Sequence, residues 1–174
     1  SKIRMGLPER EETQMGPVIT REHHCRVLEY IESGKADGAR LDYGGGRPAD
    51  PDLEKGYYIE PTVFTGVKHG MRIEQEEIFG PVMSVIEWDD EARMLEQVND
   101  SRYGLCANIW TNDISRALRL ADAIEAGYIW INGHGGKRFK GAPFGGYKDS
   151  GIGREHSIDE LLSYCQIKNV NIAY

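Results

Sequence analysis

Three apolar stretches in the middle of the chain, PVMSVIEW (81–88), LCANIW (105–110) and YIWIN (128–132), decide the fold. Each is rich in the β-branched and aromatic residues that strands favour. Their length of five to eight residues is that of strands rather than of helices. The sequence therefore predicts three buried strands in this region.

A helical pattern separates each strand from the next. Asp89 or Asp90 can cap a first helix, and Asn112 or Asp113 can cap a second. The second helix has one apolar stripe, formed by Ile114, Ala117, Leu118, Ala121 and Ile124. Strands that alternate with helices over short connections are typical of parallel sheets with helices on both faces. We therefore predict an α/β protein with a parallel, doubly wound sheet in three layers.

The segments before this region are also regular. Thr20 can cap a helix over 20–33, and Gly34 offers a left-handed stop. A short strand, ARLDY (39–43), precedes a polar loop, and YYIEPTVF (57–64) resumes the strand pattern. Because Pro61 lacks an amide hydrogen, an edge strand or two short strands are favoured there over one central strand.

The last forty residues differ in composition. Residues 133–153 contain 8 glycines in 21 positions and lack the glycine spacing of a phosphate-binding loop. A helix is predicted over 155–163. In the tail, QIKNVNIAY (166–174), apolar and polar residues alternate as in a strand. A terminal strand either docks on its own sheet or offers an edge to another subunit.

Composition excludes several functional classes. The formal net charge is −7, which disfavours nucleic acid as a partner because phosphates attract clustered Lys and Arg. No apolar run approaches the roughly 20 residues that cross a bilayer, and no signal peptide is recognisable. Cys25, Cys106 and Cys165 are widely spaced, which indicates neither a disulfide framework nor zinc and suits a reducing cytosol. A cytoplasmic protein without a membrane partner is expected.

Few residues suggest chemistry by pattern alone. Glu76 and Glu77 precede Phe79, where the chain enters the first central strand, and a carboxylate there could accept hydrogen bonds from ribose hydroxyls. Together with Glu74 they equally fit a solvated acidic turn. No histidine has a partner at metal-ligand spacing, so no metal site is expected. Each cysteine is interpreted as structural, with Cys106 inside an apolar strand as a core residue.

A set of motifs, taken in order, resembles the NAD(P)-dependent aldehyde dehydrogenase superfamily over essentially the whole chain. The most specific are EEIFGPV (76–82) and PFGGYKDSGIGRE (143–155). The others are MGP (15–17), YIESGKADGARL (30–41), GYYIEPTVF (56–64), NDSRYGLCANIWTND (99–113) and AGYIWINGH (126–134). In this family a cysteine thiolate attacks the aldehyde, hydride passes to the nicotinamide, and a glutamate-activated water hydrolyses the thioester.

The resemblance implies roles for individual residues. Glu77 matches the glutamate that binds the nicotinamide ribose, Phe79 the aromatic residue beside the nicotinamide, and Leu105 an apolar residue near it. Phe144 matches an aromatic residue of the aldehyde tunnel, and Phe139 is expected to line the tunnel too. Arg26 occupies the place of a basic residue near the cofactor in some members.

The resemblance also implies what lies elsewhere. The family's catalytic cysteine, glutamate base and cofactor domain correspond to segments upstream of this chain, so no catalytic residue is expected within it. NAD or NADP is the expected cofactor and an aldehyde the expected substrate. Residues 1–155 are expected to be catalytic-domain sheet, and 156–174 a helix and an oligomerisation strand that joins a homo-oligomer. The alternative function is a non-catalytic assembly module that binds a full-length subunit by strand addition.

Overall fold

A computed structural model describes residues 2–134 and 139–174 and divides the chain into two compact units, Ser1–Asp89 and Asp90–Tyr174. This division differs from the predicted boundary between residues 155 and 156. The predicted boundary divides the chain by function, into a catalytic part and an oligomerisation part. The division into compact units does not test it, and it stays a prediction.

The first unit packs one long helix on a three-stranded sheet. Its elements are α1 (Arg21–Ala36), β1 (Arg40–Tyr43), a 3-10 turn (Pro51–Leu53), β2 (Thr62–Thr65), α2 (Arg72–Gln75) and β3 (Val82–Ser84). Strand β2 is central, antiparallel to β1 and parallel to β3. A core cluster that includes Val27, Ile31, Ile59, Phe64 and Ile73 joins α1 to this sheet.

The second unit consists of short elements. They are α3 (Glu91–Asn99), β4 (Tyr103–Gly104), β5 (Cys106–Ile109), α4 (Ile114–Ala123), β6 (Tyr128–Ile131), β7 (Tyr147–Lys148) and α5 (Ile158–Ser163). Strands β5 and β6 pair in parallel, and β4 pairs antiparallel with β7. Of the residues described in this unit, the buried apolar side chains are Ile109, Ala117, Ala126 and Trp130.

The predicted helix caps are confirmed. Asp90 caps α3 by accepting from the amides of Ala92 and Arg93, and Asp113 caps α4 through the amide of Arg116. Thr20 caps α1 through the amide of His23. Strand β2 begins directly after Pro61, but it is the central strand of its sheet, and residues 57–60 form no strand. The predicted edge strand or pair of short strands is therefore wrong, because Pro61 lies just before the ladder, where its missing amide hydrogen costs no hydrogen bond.

The predicted sheet needs correction. The fold is α/β, and β5 and β6 are parallel neighbours as predicted, whereas the parallel neighbour of β3 is β2. Because β1 is antiparallel to β2, this sheet is mixed rather than wholly parallel. The amide of Thr62 donates to the carbonyl of Pro81 at 2.7 Å, which starts the β2–β3 ladder.

The tail and two helices also differ from prediction. Residues 166–174 form no strand and are exposed throughout. None of the residues that the structure describes pairs with them as a strand. Helix α5 begins at Ile158 rather than near 155. In α4, Ala117 is buried and Ala121 and Ile124 are half-buried, but Ile114 and Leu118 are 61% and 58% exposed, so the predicted apolar stripe is only partly covered. No helix among the described residues is long and apolar enough to span a membrane.

Candidate functional site

Glu77 and Phe79 lie together on a short segment of the first unit, between the end of α2 and the start of β3. Ser84 anchors β3 by donating its hydroxyl hydrogen to the carbonyl of Ile73 at 3.0 Å. The segment borders a surface depression of about 540 Å³. Its lining residues are Ile73, Glu76, Glu77, Ile78, Phe79, Gly80, Val82 and Ser84.

The structure distinguishes the three neighbouring glutamates. Glu74 accepts from the amide of Gly70 at 3.0 Å. Glu76 accepts from the Tyr30 hydroxyl at 2.8 Å and forms an ion pair with Arg72 at 3.1 Å. The hydrogen bond to Glu76, with burial, raises the pKa of Tyr30 above its ordinary value. Glu77 is exposed, and its carboxylate has no hydrogen bond or ion pair within the described residues.

Phe79 presents its ring to solvent from a constrained turn. The side chain is 68% exposed, and its backbone φ is 54°, a left-handed conformation that costs a non-glycine residue roughly 1–2 kcal/mol. His23 Nε2 lies 2.6 Å from the carbonyl oxygen of Phe79. The next residue, Gly80, lies so close to α1 that a Cβ there would be 2.6 Å from a methyl carbon of Val27. The turn is therefore held against α1 directly after the Phe79 Cα, through the Phe79 carbonyl and through Gly80.

Leu105 and Phe144 lie in the second unit, where both line a pocket of about 600 Å³. Phe144 exchanges two backbone hydrogen bonds with Glu155, at 2.9 and 2.7 Å. Its ring contacts Tyr128, with centroids 5.5 Å apart, and stacks on His156 at 6.0 Å. Phe144 is thus fixed on the wall of this pocket.

The glycine-rich segment is packed rather than open at its carboxyl end. A Cβ at Gly127 would lie 1.8 Å from the carbonyl oxygen of Gly145, so these two backbones need glycine to approach. Arg154 Nη1 donates to the carbonyls of Gly146 and Gly153. Phe139 is 73% exposed and does not line the pocket of Phe144. The basic residues Lys137 and Arg138 lie outside the described residues.

The predicted site residues therefore fall into two groups and one isolated residue. Glu77 and Phe79 are together in the first unit, Leu105 and Phe144 in the second, and Phe139 is with neither group. Two residues that sequence reasoning missed, His23 and Tyr30, hold the Glu77–Phe79 segment. Their spacing on α1 is the signal that could have revealed them.

The cysteines and Arg26 lie at the protein surface. All three cysteines are exposed. Cys106 was predicted to be a core residue and is not, because the β5–β6 pair leaves that face of the strand uncovered. Arg26 is exposed on α1. Among the described residues no three His, Cys, Asp or Glu side chains are close enough to hold a metal ion.

The chemistry of the first group suits a nucleotide sugar. A solvent-facing carboxylate without a protein partner can accept hydrogen bonds from vicinal hydroxyls. An adjacent exposed aromatic ring offers an apolar face to a flat heterocycle. The residues present are therefore compatible with the nicotinamide riboside end of NAD.

Comparison with known proteins identifies a family for this chain. Residues 1–170 match the aldehyde dehydrogenase family. A betaine aldehyde dehydrogenase of Brucella anthropi is 51% identical over 171 residues, which are 98% of this chain and 35% of the relative.

Two solved structures are similar. A Staphylococcus aureus betaine aldehyde dehydrogenase in complex with NAD+ is 43% identical, with a TM-score of 0.88 over 94% of this chain and 33% of that one. A Mycobacterium tuberculosis aldehyde dehydrogenase complexed with NAD+ is 41% identical, with a TM-score of 0.89 over 95% and 33%. The chain thus spans about a third of the length of these relatives. It belongs to the aldehyde dehydrogenase family.

Proposed function

We propose that this chain is the carboxyl-terminal part of an NAD-dependent aldehyde dehydrogenase, which oxidises an aldehyde to a carboxylate. The observation that carries the proposal is the unpartnered carboxylate of Glu77 beside the exposed ring of Phe79. Family membership and the NAD+ complexes of similar proteins support it. For the complete enzyme we retain the doubly wound, three-layer sheet expected from the sequence.

When bound, NAD supplies the hydride acceptor. Glu77 accepts hydrogen bonds from the ribose hydroxyls, and Phe79 packs beside the nicotinamide. Leu105 is a further apolar residue to which the resemblance to the family assigns a cofactor contact. Phe144 lines the path of the aldehyde. Phe139, which does not line the pocket of Phe144, is proposed to contact the aldehyde elsewhere on that path.

The nucleophile, the glutamate base and the rest of the cofactor site come from outside residues 1–174. The 174-residue chain by itself is therefore expected not to form NADH from NAD+ and an aldehyde. Turnover by the isolated chain that disappears in Cys25→Ala would contradict this, because it would place the nucleophile within the chain.

The role of Glu77 can be tested in a hybrid enzyme. The matching segment of the Brucella anthropi relative is replaced by this chain, and NADH formation is followed with betaine aldehyde first, since that relative is named for it. Glu77→Gln is expected to raise the KM for NAD+ roughly tenfold or more, because hydrogen bonds to charged groups contribute about 1.5–3 kcal/mol. Glu9→Gln changes the charge equally at an exposed position of the same unit and serves as control. Equal KM values for the two variants would remove the proposed cofactor role.

A second candidate function is assembly by strand addition. The tail, residues 166–174, is exposed and unpaired within the described chain, with Ile167 and Tyr174 fully exposed. An exposed segment of alternating character can add to the sheet edge of another subunit. Light scattering of the chain with and without the tail tests this. We expect a homo-oligomer that becomes monomeric on deletion; a monomer in both cases rules the candidate out.

A further inference from the structure

One face of α1 contacts the segment that carries Glu77 and Phe79 at three of its residues. Val27 and Tyr30 follow His23 by four and seven residues, so the three side chains project within about 60° of one another around the helix. His23 contacts the carbonyl of Phe79, Val27 lies against Gly80, and Tyr30 binds Glu76. Three consecutive positions of the helix face thus meet residues 76–80 at three points.

The bond between His23 and Phe79 has a defined direction. A carbonyl oxygen only accepts, so Nε2 of His23 carries the hydrogen and donates it. His23 is itself fixed, because its amide donates to the Thr20 hydroxyl oxygen at 3.1 Å in the helix cap. The contact therefore holds the carbonyl of a residue whose left-handed backbone is intrinsically disfavoured.

The contacts of Glu76 determine where Glu77 points. One oxygen of Glu76 accepts from both the Tyr30 hydroxyl and Nε of Arg72, and the Arg72 guanidinium lies 4.3 Å from the centre of the Tyr30 ring. Glu76 has extended backbone angles, φ −110° and ψ 147°. Successive side chains of an extended backbone project to opposite sides. Fixing Glu76 onto α1 consequently turns Glu77 away from it, toward solvent.

We propose that His23 and Tyr30 are positioning residues that hold the 76–80 segment on α1 so that Glu77 and Phe79 are pre-arranged for the cofactor. The proposal rests on the proposed function. It adds that Glu77 and Phe79 lie on an irregular segment, and that contacts with α1 fix the backbone of that segment.

The chain itself provides the first test, by hydrogen exchange of backbone amides read by mass spectrometry. His23→Ala is expected to accelerate exchange selectively in peptides that span residues 76–85. His23→Gln retains an amide donor at similar reach and is expected to restore protection. His24→Ala is the matched control: its imidazole also contacts a carbonyl, that of Tyr58 at 3.1 Å, which is remote in sequence from the segment. Equal exchange of residues 76–85 in wild type and His23→Ala overturns the proposal.

The hybrid enzyme provides the second test. His23→Ala is expected to raise the KM for NAD+ on the order of tenfold, the lower end of the loss caused by removing a partner that orients a metal ligand. The kcat is expected to change less, and His23→Gln to recover most of the effect. Tyr30→Phe, which keeps the ring over Arg72, is expected to shift KM in the same direction.

The two proposals fail differently. If Glu77→Gln raises the KM for NAD+ while His23→Ala and Tyr30→Phe do not, the positioning role is wrong and the cofactor role stands. If Glu77→Gln has no effect, the proposed function fails, and the exchange experiment alone decides whether α1 holds the segment.

Discussion

Gly80 lies against α1 with no room for a methyl group. A Cβ there would be 2.6 and 2.7 Å from the two methyl carbons of Val27, which is itself fully buried. Either α1 or the 76–80 segment must therefore move if a side chain is introduced. The turn that carries Phe79 therefore needs glycine at position 80 in order to pack against Val27.

Gly80→Ala is expected to lower the free energy of unfolding by about 1–3 kcal/mol, the usual cost of overpacking a filled site. Urea unfolding of the chain measures it. Gly16→Ala is the control, because its Cβ would lie 3.8 Å from Pro8, an ordinary contact. That variant is expected to be as stable as wild type or more stable by up to about 1 kcal/mol. Similar losses in both variants would show that contact with Val27 is not the cause.

For single residues, the sequence shows which residue matches a motif better than it shows what surrounds that residue in the fold. The motif around Phe79 singles out Glu77, yet composition alone gives Glu74, Glu76 and Glu77 the same interpretation. Their difference depends on Tyr30, which is 46 positions from Glu76 in sequence. Cys106 shows the converse error: its apolar neighbours predict burial, but burial depends on what covers the strand.

Among the elements, three helix starts were predictable, whereas the start of α5 and the end of α1 were not. Thr20, Asp90 and Asp113 cap helices through their own side chains, which is a local effect. Gly34 suggested a stop, but α1 continues to Ala36. The reason is tertiary: Gly34 is buried, and a Cβ there would be 2.9 Å from Ile73. Glycine permits close packing at that point instead of ending the helix.

The β1–β2 pair contains a bulge at Asp42, whose carboxylate has two hydrogen-bond donors nearby. The register shifts between Leu41 and Tyr43, which leaves Asp42 without a cross-strand partner. Its carboxylate accepts from Arg40 and from the Thr65 hydroxyl. These hydrogen bonds, Arg40 first, hold the pKa of Asp42 below its ordinary value of 3.8.

This shift predicts a pH-dependent difference between wild type and Asp42→Asn. A carboxyl whose pKa is lowered by folding stabilises the folded state above pH 3.8, and the stabilisation is lost as pH falls through the lower, folded value. The variant is therefore expected to be less stable at neutral pH, with the difference shrinking in acid. Urea unfolding at stepwise lower pH measures it, with Asp89→Asn as an exposed control. A difference that is independent of pH would contradict the assignment.

Across the whole molecule, burial is uneven between the two units. The core cluster lies entirely in the first unit. In the second, α4 exposes Ile114 and Leu118, and the buried indole N–H of Trp130 has no acceptor among the described residues. A buried donor without a partner costs about 1–3 kcal/mol. Sequence patterns predicted these apolar faces correctly, but they could not show whether this chain alone covers them.

The uneven burial predicts unequal stability. In the isolated chain, amides of β5 and β6 are expected to exchange faster than those of α1 and β2, because local stability follows buried apolar contact. In the hybrid enzyme, where we propose that the rest of the protein covers the second unit, β5 and β6 are expected to gain protection while α1 changes little. Hydrogen exchange of both proteins under one set of conditions makes the comparison. Equal protection of both units in the isolated chain would mean that the second unit is complete without further contacts, and would count against the proposal that it belongs to a larger enzyme.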